Sequence, residues 1–221
     1  MSWASSIEYY RFINQEVNRR LGGQHNAKNL MLSVDFAEIE SLQVSGDWDR
    51  LGAIMADAAR KLERGGADCV LICANTMHRC APQIESAVKI PLIHIADATA
   101  QAIRLAKLST VGLLGTRYTM EGDFFRDRLA EKHGIAALIP PAEMRNELHR
   151  LIYEELTKGI FTDQSRRCFV DAIEWLQAQG AEGVILGCTE IPLLVKPEHA
   201  SVPLFDTTAI HSRAAVDFAL S

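Results

Sequence analysis

Short, continuously apolar runs alternate with amphipathic stretches along most of this chain. Two runs stand out, Cys69-Val70-Leu71-Ile72 and Gly183-Val184-Ile185-Leu186. Neither alternates with polar residues, as expected of parallel strands buried on both faces. Further strands are predicted at residues 30–34, 90–95, 110–114, 136–139 and 202–205. Residues 47–64, 148–157 and 164–179 carry helical periodicity. The first and third of these helices lead into Gly66-Ala67-Asp68 and Gly180-Ala181-Glu182, where a glycine past the helix takes the left-handed cap conformation. Strands alternating with helices predict parallel βαβ units, an α/β fold.

The pattern also repeats. Cys73 and Cys188 are 115 residues apart, and so are Tyr9-Tyr10-Arg11 and Phe124-Phe125-Arg126. After each cysteine comes a proline that opens a strand, in Ile90-Pro91-Leu92 and Val202-Pro203-Leu204. After each strand comes an acid with small residues, Asp97-Ala98-Thr99 and Asp206-Thr207-Thr208. Several matches in one order predict two similar α/β halves, with the cysteines related by a pseudo-twofold axis. The expected boundaries are 1–97 plus 206–221 for the first half and 98–205 for the second. Thr110-Val111-Gly112-Leu113-Leu114-Gly115 opens the second half, and its counterpart would fall ahead of Met1. The repeat therefore predicts about nine further residues at the N-terminus of the natural protein, one strand's length.

Composition narrows the function. The net charge is −5 and charged residues, 23% of the chain, are mixed in sign, so no basic face offers itself to nucleic acid. No apolar run is long enough to span a membrane, and the first residues lack the pattern of a signal peptide. Five cysteines, an odd number set in apolar runs, predict free thiols and a cytoplasmic protein.

The chemistry concentrates at Cys73-Ala74-Asn75-Thr76 and Cys188-Thr189-Glu190. Each follows a predicted strand, where open α/β sheets bind ligands, and each is expected to precede a helix whose dipole lowers the thiol pKa. One thiolate can take a proton from one face of a carbon while an opposed thiol returns a proton to the other, which inverts a stereocentre. The competing expectation is two buried structural cysteines. Cys69, Cys80 and Cys168 are read as core thiols, since their spacing suits no metal site. Asn75, Thr76, Thr116, Thr189 and Thr208 fit either carboxylate contacts or helix caps. Lys158 fits either an anion grip or a helix-terminal charge. His78, His94 and His211 are read as structural. No dinucleotide or phosphate-loop fingerprint is present, so no cofactor is expected.

Met1-Ser2-Trp3, Cys73-Ala74-Asn75-Thr76-Met77-His78, Leu114-Gly115-Thr116-Arg117-Tyr118-Thr119-Met120, Gly187-Cys188-Thr189-Glu190 and Phe205-Asp206-Thr207 together resemble the aspartate/glutamate racemase family over the full chain. The resemblance implies two pseudo-symmetric Rossmann-like domains, each a small parallel sheet flanked by helices. It implies turnover without pyridoxal phosphate, and a homodimer. It also implies that Cys73 and Cys188 are the catalytic acid/base pair. Asn75, Thr76, Thr116 and Thr189 are then substrate contacts, and Gln43 and Lys158 match positions that meet substrate carboxylates. The substrate it implies is a small amino acid, aspartate or glutamate. The rival readings are a hydantoin racemase or maleate cis-trans isomerase of the same superfamily, or a non-catalytic ligand-binding relative.

Overall fold

The computed structural model describes residues 2–221. Met1 of the Met1-Ser2-Trp3 motif and the strand expected ahead of it lie outside the described residues. The chain divides into two compact units, Met1–His94 with Ser212–Ser221, and Ile95–His211.

The first unit is mostly helical. It holds α1 (Trp3–Leu21), α2 (Phe36–Ser45), α3 (Trp48–Arg64), a 3₁₀ turn (Thr76–Cys80) and α4 (Ala81–Ala87). Polar side chains start these helices: Ser2, Asp35 and Asp47 each accept from a backbone N–H of the first turn. The core gathers Ile39 of α2, Leu51, Met55 and Ala59 of α3, and Val70, Ile72, Met77 and Ile84. Among the described residues the expected sheet is reduced here to one parallel bridge, Val70 with Leu92. It is held by Val70 N–H to Pro91 O at 2.9 Å and Ile93 N–H to Val70 O at 3.0 Å. The strand predicted at residues 30–34 does not form. Leu30 and Met31 are exposed, and no described segment pairs with them, so an apolar run with no neighbour stays irregular.

The second unit is the small parallel sheet flanked by helices that was expected. Its order is α5 (Ile95–Leu105), β1 (Thr110–Gly115), α6 (Arg117–Glu121), α7 (Asp123–His133), β2 (Ala136–Leu138), α8 (Ala142–Glu154), α9 (Asp163–Ala178), β3 (Val184–Gly187), α10 (Ile191–Leu194), β4 (Leu204–Asp206) and α11 (Thr207–Ala219). The last helix continues into the residues of the first unit. All strands are parallel, in the order β2-β1-β3-β4. Side chains alternate between the faces, as the pleat requires. Val111, Leu113, Ile185 and Phe205 pack with Ile103 of α5 and Phe125 and Leu129 of α7. Leu114, Val184 and Leu186 pack with Leu148 and Leu151 of α8 and Phe169 and Leu176 of α9. Gly112 leaves room for α9, because a Cβ there would sit 2.7 Å from Leu176. Strand order reverses between β1 and β3, and ligands bind at such switch points, beyond the carboxyl ends of the strands.

The sequence repeat is looser in three dimensions. The buried aromatics are Tyr9 and Phe125, a slip of one position against the cysteine spacing, while Tyr10 is exposed. The two repeated acids also do different work. Asp206 caps α11 through the N–H groups of Thr208 and Ala209. Asp97 takes both arms of Arg128, at 2.7 and 2.6 Å, and His133 at 2.9 Å.

Candidate active site

In the first unit, Cys73 sits three residues beyond the Val70 bridge, where no ladder continues. Side chains hold its loop instead. Ser5 Oγ of α1 donates to Cys73 O at 2.7 Å, and His78 Nδ1 pairs with Ala74 O at 2.8 Å. A bond from an imidazole to a carbonyl makes Nδ1 the protonated nitrogen. His94 packs edge-on against His78, with ring centroids 4.7 Å apart. Asn75 and Thr76 follow Cys73 and are both buried. Gln43, buried in α2, donates to Met77 Sδ at 3.2 Å, which ties α2 to the segment after Cys73.

In the second unit, Thr116 leaves the end of β1 and Cys188 leaves the end of β3, on the two strands flanking the switch point. Thr116 starts α6, its Oγ accepting from Thr119 N–H at 3.2 Å. The backbones of β1 and β3 meet closely there. A Cβ on Gly187 would lie 2.8 Å from Leu114 O, and one on Gly115 would lie 2.7 Å from Gly187 O. Cys188, Thr189 and Glu190 are all buried. The Cys188 thiol donates to Glu190 Oε2 at 3.0 Å, and Thr189 Oγ1 donates to the same oxygen at 2.6 Å. Thr207 Oγ1 donates to Leu186 O, pinning the start of α11 to β3. Thr208 and His211 of α11 are buried as well. Lys158 is exposed just before Gly159, whose φ of 75° ends the helical segment, and among the described residues it makes no ion pair.

The expected lowering of both thiol pKa values is corrected by this geometry. Burial pushes the Cys73 thiol above its ordinary range. Burial, and then the Glu190 carboxylate beside it, push the Cys188 thiol well above. The helices meant to lower them are too small to compete. A five-residue 3₁₀ turn follows Cys73 and the four-residue α10 follows Cys188, and a dipole scales with aligned peptide units. Cys80 is likewise pushed up to about 11 by burial, consistent with its reading as a core thiol. In the sequence Glu190 stands out only as part of the Gly187-Cys188-Thr189-Glu190 motif. Its position two residues after the cysteine was the available signal.

A profile of the Asp/Glu/Hydantoin racemase family matches residues 1–215. A crystal structure of a provisionally assigned Asp/Glu racemase from Yersinia pestis superposes with a TM-score of 0.93 at 52% identity, covering 100% of this chain and 96% of that one. An aspartate racemase homologue from Pyrococcus horikoshii OT3 superposes with a TM-score of 0.83 at 33% identity, covering 98% and 94%. A broad specificity amino-acid racemase, RacX, of Bacillus subtilis is 24% identical over 188 residues, which is 77% of this chain and 73% of the relative.

Proposed function

The chain belongs to the Asp/Glu/Hydantoin racemase family, and from that premise we infer that it racemises aspartate or glutamate by two-base proton transfer through Cys73 and Cys188. The observation that carries the reading is the doubled motif. Each unit presents a cysteine followed by buried amide or hydroxyl side chains, Asn75 and Thr76 in one and Thr189 in the other, with Thr116 beside the second. Those groups and Gln43 are the contacts for an amino acid's polar ends, and Lys158 is the cation for a second carboxylate.

Burial raises both thiols and so favours the protonated form of each. Each is therefore set as an acid, and becomes a base only after losing its proton. In turnover one cysteine, as thiolate, takes the α-proton. The other donates its proton to the opposite face of the resulting carbanion, and the configuration inverts. Free thiols of this kind suit the reducing cytoplasm, and the working assembly is a homodimer. Pyridoxal phosphate, flavin, nicotinamide and metal ions have no part in the step.

Incubation with a panel of L-amino acids in D₂O, following the α-proton signal by NMR, tests the reading. Exchange with inversion for aspartate or glutamate, undiminished by chelator and without added cofactor, supports it. Exchange confined to hydantoins, turnover of maleate, or binding without exchange would each replace it.

A further inference from the structure

Thr208 lies in the first turn of α11, just past the carboxyl end of β4, and is 1% exposed. Strands β3 and β4 pair up to Leu186 with Asp206. Cys188 and Thr208 therefore each stand two residues past the last pair, at the same end of neighbouring strands. Two structural needs could occupy the Thr208 hydroxyl, and its neighbours meet both. The N–H groups of Thr208 and Ala209 donate to Asp206 Oδ1 at 2.9 and 3.1 Å, so the helix is already capped. Thr207 Oγ1 donates to Leu186 O at 2.9 Å, so α11 is already tied back to β3. The Thr189 hydroxyl at the end of β3 donates to Glu190 Oε2 at 2.6 Å. Among the described residues the Thr208 hydroxyl has no partner. A buried hydroxyl in that state destabilises a fold, whereas a methyl group of the same shape does not. A position that breaks this rule calls for a reason, and functional sites are where such breaks are expected.

We propose that Thr208 is a substrate-binding residue whose hydroxyl donates to a carboxylate oxygen of the bound amino acid, beside Cys188. This rests on the racemase reading above. The fold leaves the donor over, and the ligand completes it. A contact of this kind holds the bound amino acid and its transition state alike, so it acts on KM more than on kcat.

Stability and binding should then respond to one change with opposite signs. Thr208→Val removes the hydroxyl and keeps the shape, while Thr208→Ser keeps the hydroxyl. Without ligand, the Val variant should melt at the parent's temperature or up to about 2–4 °C above it. Its KM for aspartate or glutamate should rise about tenfold to hundredfold, the loss of one hydrogen bond to a charged group, with kcat changed much less. The same amino acid should raise the parent's melting temperature, and the Val variant should need correspondingly more of it for an equal rise. The Ser variant should stay within a few-fold of the parent in both measurements. An unchanged KM and melting shift in the Val variant would overturn the proposal, and a lowered melting temperature beside them would show the hydroxyl to be satisfied inside the fold. A Val variant that fails to fold, or a Ser variant impaired as much as Val, would overturn it too. The melting shift is read without turnover. A parent that shows the shift but exchanges no α-hydrogen overturns the two-thiol reading alone, and Thr208 is then judged on the shift. A parent that shows neither shift nor exchange with aspartate or glutamate overturns both.

Discussion

Replacing Ser5 by alanine should slow turnover several-fold while leaving the fold nearly as stable. Ser5 Oγ donates to the Cys73 carbonyl at 2.7 Å across 68 positions of sequence. The hydroxyl is buried on α1, and water does not readily replace it. Among the described residues the Cys73 segment has one sheet bridge, at Val70, and the Ser5 bond ties the segment to α1 as well. Losing the bond costs about 0.5–1.5 kcal/mol net, and up to about 3 kcal/mol if the carbonyl stays buried without a partner. If 1–2 kcal/mol of that falls on the position of Cys73, the competent arrangement is depleted about five- to thirtyfold. A loss of 1 kcal/mol in a protein of this size lowers the melting temperature by only about 2–4 °C. Steady-state kinetics with aspartate and glutamate, beside calorimetric melts, separate the two effects. In the Cys188→Ser background, where Cys73 is the working base, Ser5→Ala should also slow α-hydrogen exchange. A lowered melting temperature with unchanged kcat/KM, and unchanged exchange in that background, would refute the reasoning and leave Ser5 as a helix-packing residue.

Three further outcomes are expected. Lys158→Ala should raise KM for aspartate and glutamate about tenfold to hundredfold, the loss of one charged hydrogen bond, and leave neutral amino acids unaffected; an unchanged KM returns Lys158 to a helix-end charge. Gly187→Ala should destabilise by about 1–3 kcal/mol in urea unfolding, because the new Cβ meets Leu114 O at 2.8 Å on the adjacent strand; an unchanged midpoint would show that β1 and β3 can part at no cost. His149 accepts from Arg117 N–H through Nδ1 and packs on Tyr118 and Tyr153, so burial, and then the Arg117 charge, hold its pKa below the ordinary value. Its contribution to stability is therefore full above the ordinary histidine value of about 6.5 and is lost as pH falls through the depressed one. Melting temperatures across that range should decline less for His149→Gln than for the parent, and equal slopes would contradict the assignment.

The second unit was legible because its strands are bounded on both faces. The runs at 110–114, 183–186 and 202–205 are continuous and apolar, and helices cover them as such a pattern demands. Residues 47–64 and 164–179 were recognisable as helices from periodicity, and the glycines after them do take positive φ, 90° at Gly66 and 97° at Gly180. Residues 30–34 carry the same kind of signal and form no strand, because a run of apolar residues does not say whether a neighbour is present to complete its ladder. Among the described residues the segments at 69–72 and 90–95 share one bridge, Val70 with Leu92. The cysteines could be singled out by spacing and context. The direction of their pKa shifts could not, since it turns on a contest between burial and helix dipoles that only the lengths of the following helices decide. Glu190 was visible two residues after Cys188, but that its carboxylate turns back onto the thiol depends on the tight bend after β3.

The central claim is that Cys73 and Cys188 each serve one hand of the substrate. Cys73→Ser and Cys188→Ser each remove one usable base, because a serine hydroxyl stays protonated near neutral pH without a general base beside it. Racemisation should fall by at least about 10²-fold in both. Each variant should still exchange the α-hydrogen of one enantiomer of aspartate with D₂O, and the two should choose opposite enantiomers. Proton NMR of D- and L-aspartate with the two variants reads this directly. Mirrored exchange is the predicted result; exchange of the same enantiomer by both variants, or equal loss for both hands in step with loss of fold, would contradict the account.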